Sequence, residues 1–241
     1  MRRLFLALLV LYLDARGAVT ITSVREFCTE LGLVSANSAV LLLLQLRALG
    51  FISRGPLMPD RRTRRYLPNP QMRDAFTEMF QSEITAFALI EPEAEMAAAA
   101  IADPEIFHQL ILRVGGGLVR IAKNTTPGPL TPFAERAAGF AVLMDIALSG
   151  APGDVYPPEG PVHISVKRIA RKFELSRSHV MRLLREAEAL GYLQRNADEL
   201  TGVIHAPLRE ALRYFQASSL ISSSAFAYYA IQMHGKLQQA G

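Results

Sequence analysis

The chain of 241 residues carries 26 Lys and Arg against 22 Asp and Glu, a net charge of +4, and half of its residues are hydrophobic. This length can bury a sizeable core, either as one large domain or as two of ordinary size. The single cysteine, Cys28, excludes an internal disulfide and is interpreted as a small buried residue, as expected of a protein in a reducing, cytoplasmic compartment.

Positive charge is concentrated in parts of the chain. Residues 1–70 hold ten Arg against four acidic residues, whereas residues 71–130 hold four basic against eight acidic residues. Between residues 163 and 185, seven Lys and Arg face a single acid, Glu174. Such a concentration favours a polyanionic partner, although a solvated basic face would give the same count.

The chain begins with MRRLFLALLVLYLDARGA, where two Arg precede an apolar run as in a secretory signal. However, LYLDARG at 11–17 resembles LMDIALSG at 143–150, with Asp14 over Asp145. Because an export signal would not recur in mid-chain, residues 2–16 are predicted to form a structural helix. No uncharged apolar stretch of about 18 residues is present, so no membrane span is expected.

Two longer segments also repeat one another. Residues 22–33 align with 164–175, which pairs Ser23 with Ser165, and after one extra residue in the first copy ALGF meets ALGY. Ser35 and Ser176 precede amphipathic runs as N-caps do, and a glycine follows each run as a C′ residue does, at Gly50 and Gly191. Two extended segments around a polar tip then predict a hairpin. This order predicts a winged helix-turn-helix in each copy.

The second copy has a polar outward face on its predicted recognition helix, with Ser178, Arg182 and Arg185 opposite the apolar side. In a major groove, Arg can donate two hydrogen bonds to guanine or hold phosphates. The DNA-contacting residues predicted in this copy are Lys167, Ser176, Arg177, Ser178, His179, Arg182 and Arg185.

In the first copy the corresponding helix, VLLLLQLRALG, has Leu41 and Leu44 in the places of Arg182 and Arg185. Leucines can touch thymine methyl groups but cannot read bases by hydrogen bonds. Two interpretations stay open: a protein covers these leucines, or this head binds DNA chiefly through its hairpin.

The first hairpin supports the second interpretation, because PDRRTRRYL places four arginines around its tip, where they suit phosphate contacts or a minor groove. The second tip carries Asp198 and Glu199 and is expected to bind phosphate poorly. The DNA-contacting residues predicted in the first copy are Ser35, Asn37, Ser38, Arg61, Arg62, Arg64 and Arg65.

Over roughly residues 1–90 the first copy resembles the multiple-antibiotic-resistance regulator (MarR) family, in its order of elements, in LRALGFISR and above all in PDRRTRRYLPN. The resemblance implies a salt bridge between Asp60 and Arg62 and an Arg62 aimed at a minor groove. Family members are homodimers joined through terminal helices, and they often bind small aromatic ligands. Two unlike copies in one chain resemble a fused pseudo-dimer.

The predicted fold is therefore mainly α with small β-wings, as two winged helix-turn-helix domains joined by a helical, dimer-like core. The expected domains are the first winged helix-turn-helix, connecting helices with a linker, the second winged helix-turn-helix, and a C-terminal helix packed on the core, at 1–70, 71–130, 131–206 and 207–241. The core helices are expected at 2–16, 71–90, about 103–123, 132–149 and 207–235, with a loop at 124–132.

Within this core, the glycines of RVGGGLVR at 113–120 are expected to loosen a helix. Four aromatic residues could line a cavity for a small aromatic ligand, although core packing explains them better: Phe215, Phe226, Tyr228 and Tyr229.

The predicted function is a DNA-binding transcription regulator of bacterial type, with two non-identical heads reading an asymmetric duplex site, as a monomeric pseudo-dimer or a homodimer. The half-sites would lie about one helical turn apart, roughly 10 bp. The alternative is a protein-interaction module that docks a partner at Leu41 and Leu44. An enzyme is the least favoured class, because the histidines show no ligand spacing and no phosphate loop or cysteine pair is present. No catalytic residue, metal or cofactor is assigned.

Overall fold

The computed structural model describes residues 2–17, 19–32, 34–58, 63–124, 128–136, 138–197 and 200–240, with the side chains of those that lie within 4–117 and 128–235. The fold is mainly helical with small antiparallel sheets, as the sequence predicts. Two compact units make up the chain: a first unit of Arg2–Thr125 with Ser218–Gly241, and a second unit of Thr126–Ala217.

The first unit contains six helices, a two-stranded hairpin and the C-terminal part of a long last helix among its described residues. These elements are α1 (Arg2–Ala15), α2 (Ile21–Glu30), α3 (Ala36–Ala48), β1 (Ile52–Leu57), β2 (Arg64–Pro68), α4 (Pro70–Ala88), α5 (Ala94–Ala100) and α6 (Pro104–Asn124). The second unit holds α7 (Thr131–Glu135), α8 (Gly139–Ala147), β3 (Val162–His163), α9 (Val166–Lys172), α10 (Arg177–Ala189), β4 (Leu193–Arg195) and β5 (Thr201–Ile204). The last helix, α11 (Ala206–Ala240), begins in the second unit and continues into the first.

Helix α1 is a structural helix, as predicted, because the side chains from Leu8 to Leu13 are all buried in the core of the first unit. Helix α4 contributes a stripe at four-residue spacing, formed by Met72, Phe76, Phe80 and Ile84, all buried. Each such side chain contributes about 1.5–3 kcal/mol on burial. The cores of the two units are separate clusters, and that of the second unit is built on α8, α10 and the start of α11.

The repeat predicted from the sequence is present in the backbone of the two units. Helices α3 and α10 each have 13 residues, and the side chains of Ser35 and Ser176 cap them by accepting from the backbone N–H three residues on. At the other end Gly50 and Gly191 have φ of 80° and 71°. The next residue in each unit, Phe51 or Tyr192, returns a 2.9 Å hydrogen bond to the carbonyl five residues earlier. The predicted N-caps and C′ glycines are therefore confirmed.

A sheet follows in both units. Strands β1 and β2 pair antiparallel with Ile52 opposite Pro68, and Val19 forms an isolated bridge with Tyr66. In the second unit the order is β3–β5–β4, with Val162 opposite Gly202. The bridge at Val19 and strand β3 thus stand in matching places.

The start of α2 differs from the alignment that pairs Ser23 with Ser165. Thr20 is the N-cap of α2 and forms a reciprocal capping box with Ser23, whereas Ser165 is itself the N-cap of α9. The alignment holds again where these helices end, because Gly32 and Glu174 both take positive φ, of 61° and 53°.

The helix expected at 132–149 is in fact two helices, α7 and α8. Ala138 between them has φ 53°. A Cβ on Gly139 would lie 2.4 Å from the carbonyl oxygen of Phe133, so the chain turns sharply where only glycine fits. Helix α5 was not expected from the sequence.

The expectation that Gly115–Gly117 loosens a helix is wrong. Helix α6 runs through all three glycines without a break. A Cβ on Gly115 would lie 2.3 Å from Cδ2 and 2.7 Å from Cβ of Tyr12, and one on Gly117 would lie 3.3 Å from the Phe226 ring. Gly115 therefore allows α1 to approach α6 closely, and Gly117 leaves room for the Phe226 ring.

A substitution pair tests this packing. Gly115→Ala is expected to destabilise the protein by about 1–3 kcal/mol, because the added methyl overlaps the buried Tyr12 ring. Gly116→Ala is the matched control: nothing lies within 4 Å of its Cβ position, and the better helix former should add up to about 1 kcal/mol. Denaturant unfolding of the two variants checks the opposite signs, and equal destabilisation would contradict the packing.

Candidate nucleic-acid interface

The N-termini of α3 and α10 present short polar side chains to solvent. Ser35 Oγ lies 2.9 Å from Ser38 Oγ, and Ser176 Oγ lies 3.1 Å from Ser178 Oγ. Asn37 and Arg177 are exposed beside these pairs, and His179 is half-buried. Hydroxyls, an amide and N–H groups at a helix N-terminus form an environment that suits an anion such as phosphate.

The outward faces of the two helices have the same register. The positions exposed in both helices are Ser178, Arg182, Arg185 and Ala189 in α10 and, in the same order, Asn37, Leu41, Leu44 and Ala48 in α3. The buried faces also correspond, with Ala39 and Leu43 in the places of Val180 and Leu184. We call these outward surfaces the α3 face and the α10 face. They differ in chemistry at the two central positions, where leucine replaces arginine.

Both acidic residues of α10 are engaged by arginines of the second unit. Arg136 pairs with Glu186 through its Nε at 2.9 Å and also through Nη2. Arg195 on β4 binds both carboxylate oxygens of Glu188 at 2.9 Å, and these hydrogen bonds hold the pKa of Glu188 below its ordinary value. Among the described side chains, no acidic group forms an ion pair with Arg182 or Arg185. The α10 face therefore carries two arginines without an ion pair among the described side chains, and the attraction between Arg185 and Glu188 also helps to lower the pKa of Glu188.

The basic cluster at 163–185 is partly neutralised by an acid outside that range. Asp145 on α8 forms an ion pair with Arg168 Nη2 at 2.8 Å and accepts a hydrogen bond from Lys172 Nζ, and its side chain is only 7% exposed. Burial raises the pKa of Asp145, but the hydrogen bonds from Lys172 and Arg168 outweigh that effect and hold the pKa below its ordinary value. Lys167 and Arg171, on the same helix α9, are exposed.

Asp14, the counterpart of Asp145, has a similar part in the first unit. Its Oδ1 accepts from Arg65 Nη2 on β2 at 2.9 Å, and both side chains are partly buried. Arg65 thus ties the hairpin to α1, and its side chain is 30% exposed. Sequence reasoning missed this pair, although the alignment of the two aspartates was a signal for it.

The other hairpin arginines divide into two groups. Arg64 is exposed, with Nη1 3.4 Å from the Gly55 carbonyl oxygen across the strand pair. Arg61 and Arg62 lie outside the described residues, as does Asp60 with its expected salt bridge, and so do Asp198 and Glu199 at the second tip.

The four aromatic residues considered for a ligand cavity are divided between the units. Phe215 packs edge-on against Phe140 in the second unit, with ring centroids 5.0 Å apart. In the first unit, Arg113 lies 4.1 Å from the ring centroid of Tyr229, and Phe226 and Tyr228 pack on the core. A cleft of about 590 Å³ in the first unit is lined by other residues, including Arg73, Glu78 and Phe107.

Cys28 is fully buried in the first unit, as interpreted from the sequence. Burial raises the pKa of its thiol to about 11, which keeps it protonated near neutral pH. Among the described residues, no three His, Cys, Asp or Glu side chains are grouped so that they could hold a metal ion, and no helix combines the length and apolarity needed to cross a membrane.

The sequence matches no protein-family model, and comparisons with curated proteins and with solved structures return no match. A function is therefore inferred from the residues of the two units themselves.

The two aspartate pairs generate a prediction on stability. Asp145→Asn should lower the free energy of unfolding by about 1–3 kcal/mol, because the nearly buried negative charge that pairs with Arg168 and Lys172 is replaced by a neutral amide. Asp14→Asn should cost less, since that carboxylate is 25% exposed and pairs with a single arginine, Arg65. Urea unfolding of both variants measures the two losses in unfolding free energy. A loss for Asp14→Asn that equals or exceeds the loss for Asp145→Asn would contradict the prediction.

The Asp145 carboxylate also predicts how the stability depends on pH. Because the pKa of Asp145 is lower in the folded state, its carboxylate contributes stability at pH above its unfolded pKa of about 3.9. That contribution is lost as the pH falls through the folded-state pKa. The difference in unfolding free energy between wild type and Asp145→Asn should therefore be full above about pH 5 and shrink below about pH 4. A constant difference down to pH 2 would contradict this assignment.

Proposed function

We propose that the protein is a DNA-binding transcription regulator whose two non-identical winged helix-turn-helix heads read an asymmetric duplex site. In this proposal α2–α3 and α9–α10 are the helix-turn-helix pairs, and the sheets formed by β1–β2 and β3–β5–β4 are the wings. The observation that carries it is the α10 face, where Arg182 and Arg185 are exposed and the neighbouring acids Glu186 and Glu188 are paired elsewhere.

The chemistry of that face suits a major groove. A 13-residue helix is about 20 Å long and fits the groove as a rod, and its first turn carries the hydroxyls of Ser176 and Ser178. Arg182 and Arg185 lie almost one turn apart on the exposed side, where each can donate two hydrogen bonds to guanine O6 and N7. Lys167 and Arg177, both exposed near the helix N-termini, suit phosphate contacts that position the head.

The first head is proposed to use a different set of groups. Ser35, Asn37 and Ser38 are exposed at the N-terminus of α3, and Arg64 is exposed on the hairpin. Arg61 and Arg62 stay in the proposal from the sequence alone, and Arg65 stays in it with a guanidinium that also pairs with Asp14. From the same order of helices and strands we also propose that the chain is similar to the MarR family, in the form of a fused pseudo-dimer.

Selection from a random duplex library tests this proposal. The wild type is expected to enrich one asymmetric site. Its affinity should fall steeply with salt, because each neutralised phosphate adds roughly 0.9 to the steepness of log affinity plotted against log salt concentration. Failure to bind any duplex at low salt would overturn the proposal.

Two charge-matched variants sharpen the test. Arg182→Ala with Arg185→Ala should relax base preference in one half of the site and weaken binding by about 1–3 kcal/mol for each guanine that is no longer read. Arg73→Ala with Arg213→Ala removes the same charge from exposed positions on α4 and α11, and should leave base preference unchanged. Equal effects of the two pairs, measured by binding titration on the selected site, would show that the α10 face has no special part.

A single hairpin variant completes the set. Arg64→Ala should weaken binding to all duplexes by a similar factor and reduce the salt slope by about one phosphate, because a phosphate contact carries no base information. The titration is repeated on the selected site and on an unrelated duplex of equal length, and a weakening confined to the selected site would assign Arg64 to base readout instead.

A further inference from the structure

We propose that Leu41 and Leu44 read thymine methyl groups in the major groove, so that the first head selects an A·T-rich half of the site. This inference rests on the proposed function and names the sequence class that the α3 face would recognise. It commits that face to DNA rather than to a protein partner.

The position of the leucines is the first observation. They occupy the same helical positions as Arg182 and Arg185, behind the same serine N-cap and ahead of the same C′ glycine. Leu41 is 58% and Leu44 is 40% exposed, whereas Leu43 on the opposite face is fully buried. The packing of the first unit therefore does not require leucine at either exposed position.

The major groove offers an apolar target for these two leucines. Each base pair displays donors and acceptors along its major-groove edge, and the C5-methyl of thymine is the apolar group among them. An isobutyl side chain offers no donor or acceptor, so it can gain free energy only by burying apolar surface. Two leucines almost one turn apart on a helix are thus suited to adjacent thymine methyls and leave guanine and cytosine unread.

The charges around the α3 face favour DNA over an apolar protein surface. Arg54 and Arg64 are exposed on the hairpin that follows α3, whereas α2 carries exposed Arg25 together with exposed Glu26 and Glu30. Residues 1–70 hold ten Arg against four acidic residues, and one Arg and one acid of this set, Arg65 and Asp14, pair with each other. An apolar helix face followed by a basic hairpin matches a groove that has methyl groups at its floor and phosphates at its edges.

Removal of single methyl groups from the DNA tests the inference. In the selected site each thymine is replaced, one at a time, by deoxyuridine, which lacks only the C5-methyl. Wild-type affinity should fall roughly fourfold at each contacted thymine, and these thymines should cluster in one half of the site. Thymines elsewhere should tolerate the change.

The protein side of the test uses three variants. Leu41→Ala with Leu44→Ala should lose the sensitivity to deoxyuridine, whereas Arg182→Ala with Arg185→Ala should keep it. Leu89→Ala with Ile90→Ala, which trims residues that are 88% and 74% exposed away from the α3 face, should behave like the wild type. Thermal unfolding confirms that the exposed-site variants remain folded.

The outcomes separate this inference from the proposed function. Salt-dependent binding of a selected site with no deoxyuridine effect would overturn the methyl readout and leave the regulator proposal standing. Absence of binding to any duplex would overturn both. If Leu41→Ala with Leu44→Ala abolishes a complex with a purified protein partner and leaves DNA affinity intact, the α3 face is a protein-docking surface and the inference is wrong.

Discussion

The orientation of one helix in each unit is fixed by its two ends. A serine caps the first turn, and a glycine with positive φ lets the chain fold back so that the following aromatic residue bonds to the helix carbonyl five residues earlier. Because both ends are fixed, the 13 helical residues between them cannot rotate about the helix axis. Leu43 and Leu184 are therefore directed to the core, and positions 41, 44, 182 and 185 are directed to solvent; this rotational register is the same in both units. The placement of the strands that follow and the composition of the outward faces both depend on that register.

Electrostatic pairing then decides which basic residues remain available to a ligand. Asp14 and Asp145 occupy corresponding helices, and each binds cations that a count of charges would assign to a nucleic-acid surface: Arg65 in the first unit, Arg168 and Lys172 in the second. Glu186 and Glu188 of α10 have the opposite effect on the exposed charge. They pair with Arg136 and Arg195, which lie outside α10, so the arginines of α10 itself stay exposed. A count of charges alone therefore overstates the unpaired positive charge at α9 and understates it at α10.

Local sequence signals predicted the capped helices, the hairpins and the repeat, because caps, C′ glycines and apolar periodicity depend on neighbours a few residues away. Features that depend on contacts between distant residues were mispredicted. Gly115 and Gly117 of α6 are explained by Tyr12 and Phe226, which lie far away in sequence. The role of Arg65 was likewise hidden, since its partner Asp14 lies 51 residues earlier. The break between α7 and α8, where Gly139 approaches the Phe133 carbonyl, involves residues close in sequence and was also missed. At the site, exposure of the two outward faces followed from periodicity, but the pairing of individual arginines did not.

A duplicated scaffold of this kind separates stability from recognition. Substitutions on an exposed face usually change stability by less than about 0.5 kcal/mol, whereas those in a core cost several times more. The inner positions of α3 and α10 are consequently confined to apolar residues, as Ala39 and Val180 illustrate, while arginine and leucine can exchange at the outer positions without loss of the fold. In the proposed complex that freedom is used for specificity: one head would read hydrogen-bonding edges and the other apolar methyl groups. A single chain with two such heads would discriminate the orientation of its site as well as its sequence, which a dimer of identical heads cannot do.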